Sequence, residues 1–392
     1  MLVREGPGRE RIVKVAIDAS PLVINRTSGL SEVVHNLLLH LPTTSGNGQF
    51  TLFLNYFRGN RRKEDISYPD TDNHVLRFPR RLMDSWWKYD WPPFDLYLKG
   101  IDVFHSLHIN VPPTKRMKTV LTVHDCRYLA LPDLYKDQEV ESYRQQMQRS
   151  LRRVEMVATV SQFTRHELLN YFSYPEGRIR VIHNGFTPFQ SDSGYYQKKA
   201  DPFIERKNLP QAYLLYTGVL DPRKNLGGLI EAIGRCKEST KEFPELLIAG
   251  ISFEDWIRSD YARRAKELGL FDQIHVCGVV EKDILVGLTQ KAHALCYPSL
   301  YEGFGFPPLE AMSLGVPVLA GNSSSVPEIT AGAACLVDPT HVDDIAQGLN
   351  RIIFDSDYRH MLIEAGYRQI TKFSWQKAAA EYIGLYKEVL AS

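Results

Sequence analysis

The sequence predicts an α/β protein of two doubly wound domains that face a cleft. Short apolar segments of strand length alternate with helical patterns along both halves of the chain, an order typical of parallel sheets covered by helices. The length of 392 residues is sufficient for two domains of ordinary size. A stretch at 187–212 that is rich in Ser, Gly, Lys, Asp and Pro is expected to be a linker. We therefore place the first domain at 1–190 and the second at 191–373.

Composition argues against several classes of protein. The 47 basic and 46 acidic residues nearly balance, so a nucleic-acid partner is not expected. No run of about 18 apolar residues occurs, and a transmembrane helix is therefore not expected. The five cysteines form no CxxC pair and indicate reduced, buried thiols in a cytoplasmic protein rather than a zinc site.

The first half opens with an apolar strand at 13–17, followed by a loop that ends at Gly29 and a helical pattern over 30–41. Strand, glycine loop and helix suit an anion, because the first N–H groups of a helix have no partner within it. The alternation continues with strands predicted at 51–56, 75–78, 103–105, 120–123, 156–160 and 179–182, and with helices at 138–151 and from 161.

His124 and Asp125 follow the strand predicted at 120–123. Ligands of α/β sheets bind at the carboxyl ends of the strands, so an imidazole here suggests a functional group. A lone histidine is also common as a structural residue. Ser161 has two interpretations as well, because its hydroxyl either caps the following helix or meets a ligand, and capping is the safer one.

The segment 77–99 holds seven aromatic and five basic residues. Trp, Lys and Arg concentrate where proteins meet lipid headgroups, so one interpretation is contact with a membrane surface or a lipid-linked acceptor. The other is a helical hairpin whose aromatic residues pack into the core of the first domain. We favour the second interpretation for most of the aromatic residues.

In the second half, Arg223 and Lys224 stand between a strand at 213–216 and a helix that begins at Leu226. Two adjacent cations at such a junction suit a diphosphate, because Arg offers a fork of donors and Lys a point charge. Later strands are predicted at 246–249, 274–277, 292–296, 316–320 and 335–337, and helices at 283–291, 341–355, 357–371 and 374–390.

Residues 297–321 carry the strongest functional signal. Glycines 303 and 305 interrupt regular structure after the strand at 292–296, and the two prolines that follow suit the first positions of a helix. Glu302 then lies in a glycine loop at the end of a strand, and Glu310 lies in the first turn or so of the helix. Two carboxylates beside an anion site suit hydroxyl groups of a ribose and a sugar. Alternatively, Glu302 is a solvated loop residue and Glu310 an acid favoured by the helix dipole.

The run Glu302-Gly303-Phe304-Gly305 … Pro308-Leu309-Glu310-Ala311-Met312 resembles the E-x7-E signature of the family 4 glycosyltransferases. These are retaining enzymes of the GT-B fold, with two Rossmann-like domains. The resemblance implies that Glu310 holds the ribose hydroxyls of the nucleotide. It implies that Glu302 and the backbone of Phe304, Gly305 and Phe306 face the donor sugar.

The same resemblance assigns further residues to a donor site. Arg223 and Lys224 match a G-x4-R-K-N element that begins at Gly218 and binds the diphosphate, which Gly29 also approaches. Val279 is expected near the base, His124 near a sugar hydroxyl, and Asn184 in a loop that departs from the family pattern because His183 replaces a proline. The helix at 374–392 is expected to cross back onto the first domain.

The implied activity is retaining transfer of a hexose from a nucleotide-diphosphate sugar to a glycan or lipid-linked acceptor. The phrasing EGFGFPPLEAM is similar to that of bacterial polysaccharide enzymes with mannose or rhamnose donors, which favours GDP-mannose. The donor is a substrate, and no cofactor or metal is expected. The expected location is the cytoplasm, with contact to the inner face of the membrane through 77–99. The alternatives are a sugar-nucleotide epimerase of the same architecture and an inactive sugar-nucleotide-binding protein.

Overall fold

The computed structural model describes residues 2–4, 10–24, 29–45, 48–55, 66, 68–189, 194–239 and 242–392. The chain divides into two compact units, Met1–Gly185 together with Phe373–Ser392, and Phe186–Lys372. The boundary predicted at 190/191 and the loop at 25–28 lie outside the described residues.

In its described part, the first unit contains the strands β1 (Leu2–Arg4), β2 (Glu10–Ile12), β3 (Lys14–Asp18), β4 (Gln49–Asn55), β5 (Thr71–Leu76), β6 (Val103–Ser106), β7 (Lys118–Val123), β8 (Met156–Thr159) and β9 (Ile179–Val181). Strands β3 to β9 form a parallel sheet in the order β5-β4-β3-β6-β7-β8-β9, whereas β1 and β2 pair antiparallel. Its helices are α1 (Pro21–Ile24), α2 (Gly29–Ser45), α3 (Arg80–Lys88), α4 (Arg127–Ala130), α5 (Asp137–Arg153) and α6 (Gln162–Tyr171).

The second unit contains the strands β10 (Tyr213–Thr217), β11 (Glu245–Ala249), β12 (Ile274–Gly278), β13 (Ala294–Tyr297), β14 (Val318–Gly321) and β15 (Cys335–Val337). They form a parallel sheet in the order β12-β11-β10-β13-β14-β15. Its helices are α7 (Tyr195–Lys207), α8 (Leu226–Ser239), α9 (Phe253–Arg258), α10 (Asp260–Glu267), α11 (Lys282–Lys291), α12 (Phe306–Ser313), α13 (Val326–Thr330), α14 (Val342–Phe354) and α15 (Ser356–Ile370). Each sheet has the doubly wound order, and the predicted α/β class is confirmed.

The strands of the second unit are continuous apolar runs because helices cover both faces of the sheet. One core cluster joins strand residues such as Leu214 and Ile248 to helix residues such as Leu229 and Leu349. This core fixes the carboxyl ends of the strands, where the loops that carry the polar residues begin.

The last helix of the chain, α16 (Trp375–Ala391), belongs to the first unit. Ser374 caps it by accepting a hydrogen bond from the N–H of Lys377. Two of its tyrosines reach the sheet: the Tyr386 hydroxyl is 2.7 Å from Nδ1 of His105 on β6, and the Tyr382 hydroxyl is 3.0 Å from Oγ1 of Thr122 on β7. His105 Nε2 and Thr122 Oγ1 are 2.8 Å apart, so one buried polar network ties α16 to two strands.

The linker predicted at 187–212 is wrong for residues 195–207, which form helix α7. Its apolar face, which includes Ala200, Phe203 and Ile204, is buried, and the helix packs against α11. Gly287 on α11 permits this approach, since a Cβ there would lie 2.4 Å from the carbonyl oxygen of Tyr196. The apolar spacing of three and four residues was present, but Pro202 and many charged residues obscured it.

The helical hairpin considered for 77–99 is not what forms. Helix α3 is followed by an extended stretch and a short 3-10 turn at Phe94–Leu96. Trp87 and Phe94 pack into a core cluster of the first unit, whereas Tyr89 and Trp91 are exposed. Across the described part of the chain, none of the helices combines the length and apolarity needed to span a bilayer.

Candidate functional site

The candidate site lies in the second unit, where strands β10 and β13 are neighbours. The chain leaves β10 toward β11 on one side of the sheet and leaves β13 toward β14 on the other. A crevice opens at such a reversal, outside the carboxyl ends of the two strands. The loops after these strands carry Arg223 and Lys224 on one side and Glu302 on the other.

Glu302 lies against both cations. Its Oε1 is 2.6 Å from Lys224 Nζ, its Oε2 is 3.4 Å from an Arg223 guanidinium nitrogen, and its side chain is only 9% exposed. The structure therefore excludes the interpretation of Glu302 as a solvated loop residue. Burial opposes ionisation of this carboxyl, but Lys224 and Arg223 outweigh burial and hold its pKa below the usual value.

Arg223 is largely committed to the protein. Its guanidinium donates to the Asp221 carboxylate at 3.2 and 3.3 Å and to the backbone carbonyl of Tyr301 at 3.2 Å, in addition to Glu302. These contacts use four of the five N–H donors that arginine has. Asp221 also caps the short helical turn Pro222–Lys224 by accepting the N–H of Arg223. Arg223 thus joins the β10 loop to the β13 loop, and no pattern in the sequence indicated Asp221 as its partner.

Lys224 retains capacity for a ligand. Its ammonium donates to Glu302 and, at 3.0 Å, to the hydroxyl of Tyr297 at the end of β13. An ammonium has three N–H donors, so among the described residues these two contacts leave a third without a partner. Sequence reasoning missed Tyr297, since its position in an apolar run indicated only a buried strand residue.

Two serines after β14 hold the loop that carries Glu302. Ser324 Oγ accepts the backbone N–H of Glu302 at 2.9 Å, and Ser325 Oγ lies 2.9 Å from the carbonyl oxygens of both Glu302 and Phe304. Ser324 has a φ of 54°, which is uncommon for a residue with a side chain. The polar run SSS at 323–325 was the only sequence signal for this role.

Gly305 precedes α12 with a φ of 103°, a conformation that glycine adopts without strain. The helix begins at Phe306, whose ring lies 5.1 Å from that of the buried Phe304. Glu310 is half-buried and is the fifth residue of the helix, so it lies beyond the first turn. Both carboxylates of the E-x7-E pattern are therefore on one loop-and-helix segment.

A pocket of about 510 Å³ lies beside the ends of β10, β11 and β12. Its wall includes Val219, which directly follows Gly218, and Val279; these two side chains are 60% and 83% exposed. Asp255 at the start of α9 contributes a carboxylate to the wall. Gly250 is required where the loops meet, since a Cβ there would be 2.6 Å from the Gly218 carbonyl oxygen. The pocket combines apolar sides with one acidic and one basic residue, Asp255 and Arg258.

Three predicted site residues belong to the first unit. Gly29 is the exposed first residue of α2, and Asn184 is buried and precedes Gly185, at which this segment of the first unit ends. His124 follows β7, and its ring is hydrogen-bonded to the backbone of Leu107. Burial lowers the pKa of His124 to about 4, so the imidazole is neutral. Its Nε2 atom is buried and has no hydrogen-bond partner among the described residues.

Comparison with known proteins decides the family. The family model described as "Glycosyltransferase Family 4" matches residues 27–188, and "Glycosyl transferases group 1" matches residues 197–369. O-antigen chain mannosyltransferase B of Escherichia coli is 31% identical over 290 residues, which cover 73% of this chain and 74% of the relative. The chain belongs to glycosyltransferase family 4.

One further curated relative and two solved structures are also similar to this glycosyltransferase. The serotype-specific mannosyltransferase WbdA of Escherichia coli is 27% identical over 286 residues, which cover 72% of this chain but only 34% of WbdA. Among solved structures, sucrose-phosphate synthase of Thermosynechococcus elongatus superposes with a TM-score of 0.71 at 21% identity, covering 97% of this chain and 100% of that one. HepE of Anabaena, in complex with UDP, gives 0.65 at 16% identity, covering 95% and 99%. These likenesses confirm the GT-B fold.

Proposed function

We propose that this glycosyltransferase is a retaining hexosyltransferase with GDP-mannose as donor and a glycan or lipid-linked glycan as acceptor. The observation that carries the proposal is the Lys224–Glu302–Arg223 cluster at the switch point of the second sheet. The mannose donor is supported by the similarity to mannosyltransferases.

In this proposal the donor diphosphate meets Lys224, which has an N–H donor available, and the N-terminus of α12. Positive charge at this point stabilises the negative charge that develops on the leaving diphosphate. Because Lys224 and Arg223 supply that charge, the reaction is proposed to proceed without a metal. Glu302 keeps the Lys224 ammonium and the Arg223 guanidinium in place through its ion pairs. Its position beside them is compatible with contact to the donor sugar.

The pocket beside Val219 and Val279 is proposed to hold the nucleobase between the two apolar side chains. Guanine presents an N1–H and an N2–H₂ group side by side, and a carboxylate accepts both. Asp255 is such a carboxylate on the pocket wall. Uracil and adenine lack this pair of donors, so Asp255 supports a guanine nucleotide.

The transfer step is proposed to occur on the face of the leaving group. The acceptor oxygen bonds to the anomeric carbon, the bond between that carbon and the phosphate oxygen breaks, and the acceptor proton passes to the departing phosphate. The product keeps the anomeric configuration of the donor. His124, which is neutral, is proposed to accept a hydrogen bond from a donor-sugar hydroxyl at Nε2.

A lipid-linked acceptor would bring the enzyme to the inner face of the membrane. Contact through 77–99 is part of the proposal, in a protein that is otherwise cytoplasmic.

Thermal unfolding with GDP, UDP, dTDP and ADP, each with and without magnesium, tests donor binding. We expect GDP to raise the melting temperature without magnesium, because a ligand that binds only the folded state stabilises it. If none of the four stabilises the protein, the roles assigned to Lys224, Arg223 and Glu310 fail.

The chemistry needs a separate measurement. NMR of the product formed from GDP-mannose and a mannoside acceptor should show the donor's α configuration, and an inverted product would refute the retaining mechanism. Conversion of the donor in the absence of acceptor would indicate an epimerase.

A further inference from the structure

The first unit presents an exposed surface of mixed character around helix α3, which we call the Trp91 surface. Its apolar members are the exposed residues Leu82, Tyr89, Trp91 and Leu96, of which Trp91 is 68% exposed. Its basic members are the exposed residues Arg81, Lys88, Lys99, Lys115 and Arg116. Large apolar side chains grouped on a surface usually mark an interaction site.

The Trp91 surface is built on a fixed framework. Trp86 Nε1 donates to the carbonyl of Pro92 at 2.7 Å, which ties the end of α3 to the stretch that follows. The Asp95 carboxylate accepts the backbone N–H groups of Lys115 and Met117 at 2.8 and 2.7 Å. Lys115 Nζ lies 5.3 Å from the centre of the Trp91 ring. The residues from α3 and from the 115–117 turn therefore form one surface that needs little ordering when it binds.

The charge of the Trp91 surface is positive. Residues 80–99 and 115–116 contain six basic and three acidic residues. The Asp90 carboxylate is 2.9 Å from Arg153. Burial opposes ionisation of Asp95, but hydrogen bonds from Met117, Lys115 and Arg116 lower its pKa, so the carboxylate is ionised and occupied by backbone groups. Asp90 and Asp95 are thus engaged, whereas five basic side chains of the same segments are exposed.

We propose that the Trp91 surface docks the enzyme on a bilayer that carries anionic lipids. Trp and Tyr rings favour the headgroup region, and each Lys or Arg near an anionic surface strengthens the attraction. Neither contribution suffices alone, and this surface has both. The inference rests on the membrane contact in the proposed function and specifies the residues and the lipids involved. Vesicle binding is measured without sugar transfer, so the docking surface and the proposed function can fail separately.

Sedimentation of the full-length protein with vesicles tests the proposal. The vesicles are phosphatidylcholine alone or phosphatidylcholine with phosphatidylglycerol, at low and high salt. We expect binding only to vesicles that contain phosphatidylglycerol, and weaker binding at high salt because salt screens the attraction.

Two double variants separate the two contributions. Trp91→Ser with Leu96→Ser and Lys88→Glu with Lys115→Glu should each weaken binding by about tenfold or more. Their matched controls are Phe354→Ser, an exposed aromatic residue of the second unit, and Lys377→Glu, an exposed lysine of the first unit; neither should change binding. Transfer to a soluble acceptor and the melting temperature should be unchanged in all four variants.

Three results would overturn the proposal. Wild-type protein could fail to sediment with anionic vesicles, or both double variants could bind as well as wild type. Sedimentation velocity could instead show a dimer that Trp91→Ser dissociates without vesicle binding, and the surface would then join two copies of the chain. Loss of transfer with intact vesicle binding would count against the proposed function and leave the docking surface in place.

Discussion

At the scale of single residues, the Glu302 carboxylate organises the candidate site because it is buried between Lys224 and Arg223. A buried ion pair is a weak source of net stability, but removal of one partner leaves an uncompensated charge. Replacement of Glu302 should therefore affect stability, and under the proposed function it should also affect donor binding; the two effects are separable by experiment.

Glu302→Gln should lower the free energy of unfolding by about 3 kcal/mol, because Lys224 and Arg223 lose their shared counter-charge. The matched control is Asp343→Asn, which removes one partner of the exposed pair with Arg235 and should cost less than about 1 kcal/mol. Urea unfolding measures both. Equal losses in the two variants would mean that the ion pairs of Glu302 contribute no more to the free energy of unfolding than an exposed ion pair does.

Asp255→Asn should reduce selectivity for guanine. The Ser252 hydroxyl donates to Asp255 at 2.7 Å, and an amide oxygen can accept the same bond, so the helix start should remain intact. A lost bidentate contact to a base costs about 1–3 kcal/mol. GDP affinity measured by calorimetry should therefore fall about tenfold or more, with UDP affinity unchanged. Asp260→Asn, at an exposed acid on α10, is the control, and a uniform loss for both nucleotides would refute the guanine contact.

His105 should make stability depend on pH. Burial, together with the nearby His124, lowers the pKa of His105 to about 3, whereas an unfolded histidine titrates near 6.5. The unfolded state therefore binds the extra proton, so stability present above about pH 6.5 is lost as the pH falls toward 3, by about 1.4 kcal/mol per pH unit. In urea unfolding between pH 7 and 5, His105 should contribute this slope in addition to that of the buried His124, and His105→Gln should remove the contribution of His105. Parallel curves for the two proteins would contradict the assignment.

The residue scale also shows what the sequence could predict at the site. Arg223, Lys224 and Glu302 were predicted together, because glycines and prolines placed them at the ends of two strands. Their partners Asp221, Tyr297 and Ser324 were not, since these contacts join segments that are far apart in the chain. Such pairing depends on strand order, and no local pattern specifies which strand lies beside which.

At the scale of elements, the strands of the two parallel sheets were predicted within a few residues because such strands are mostly apolar runs, whereas β1 and β2 were not predicted. Helix α7 was missed because its charged residues and Pro202 resemble a linker. Helices α9 and α10 were also not predicted. Ser252 and Ser259 cap α9 and α10, and these two serines could have indicated the helix starts in the sequence. The packing of α7 against α11 has no such local signal.

The approach of Gly185 to the start of α16 is a sensitive contact between elements. A Cβ at Gly185 would lie 2.3 Å from the backbone nitrogen of Trp375 and 2.4 Å from its Cα. An alanine at this position would therefore force the backbone of one of the two segments to move. Gly185→Ala should lower the free energy of unfolding by about 1–3 kcal/mol. Gly384→Ala within α16 meets nothing within 4 Å and should raise it by up to about 1 kcal/mol. Thermal unfolding that shows the same sign for both would contradict the steric argument.

At the scale of the whole molecule, the second unit is one continuous segment, Phe186–Lys372, whereas the first is assembled from both ends of the chain. The second unit also contains its own core and the complete Lys224–Glu302–Arg223 cluster. We therefore expect the second unit to fold without the first, whereas the first unit needs the segment at the end of the chain.

A fragment comprising 186–372 should unfold cooperatively and should be stabilised by GDP, because it contains its own core and the whole pocket that is proposed to hold the nucleobase. A fragment comprising 1–185 should lack cooperative unfolding until a peptide of 373–392 is added, because α16 supplies Tyr382 and Tyr386. Calorimetry of the two fragments checks this. If the full chain binds GDP and the fragment 186–372 does not, essential donor contacts lie in the first unit.

The network of α16 with His105 and Thr122 has a consequence for synthesis on the ribosome. Strands β6 and β7 emerge early, but the tyrosines that cover them are translated only after the 187 residues of Phe186–Lys372. At roughly 5–20 residues per second the wait is about 10–40 s. Throughout that interval the nascent amino-terminal half has a polar pair and an apolar sheet face without their cover, which is the kind of surface that chaperones bind. The unit that is translated first is therefore completed last.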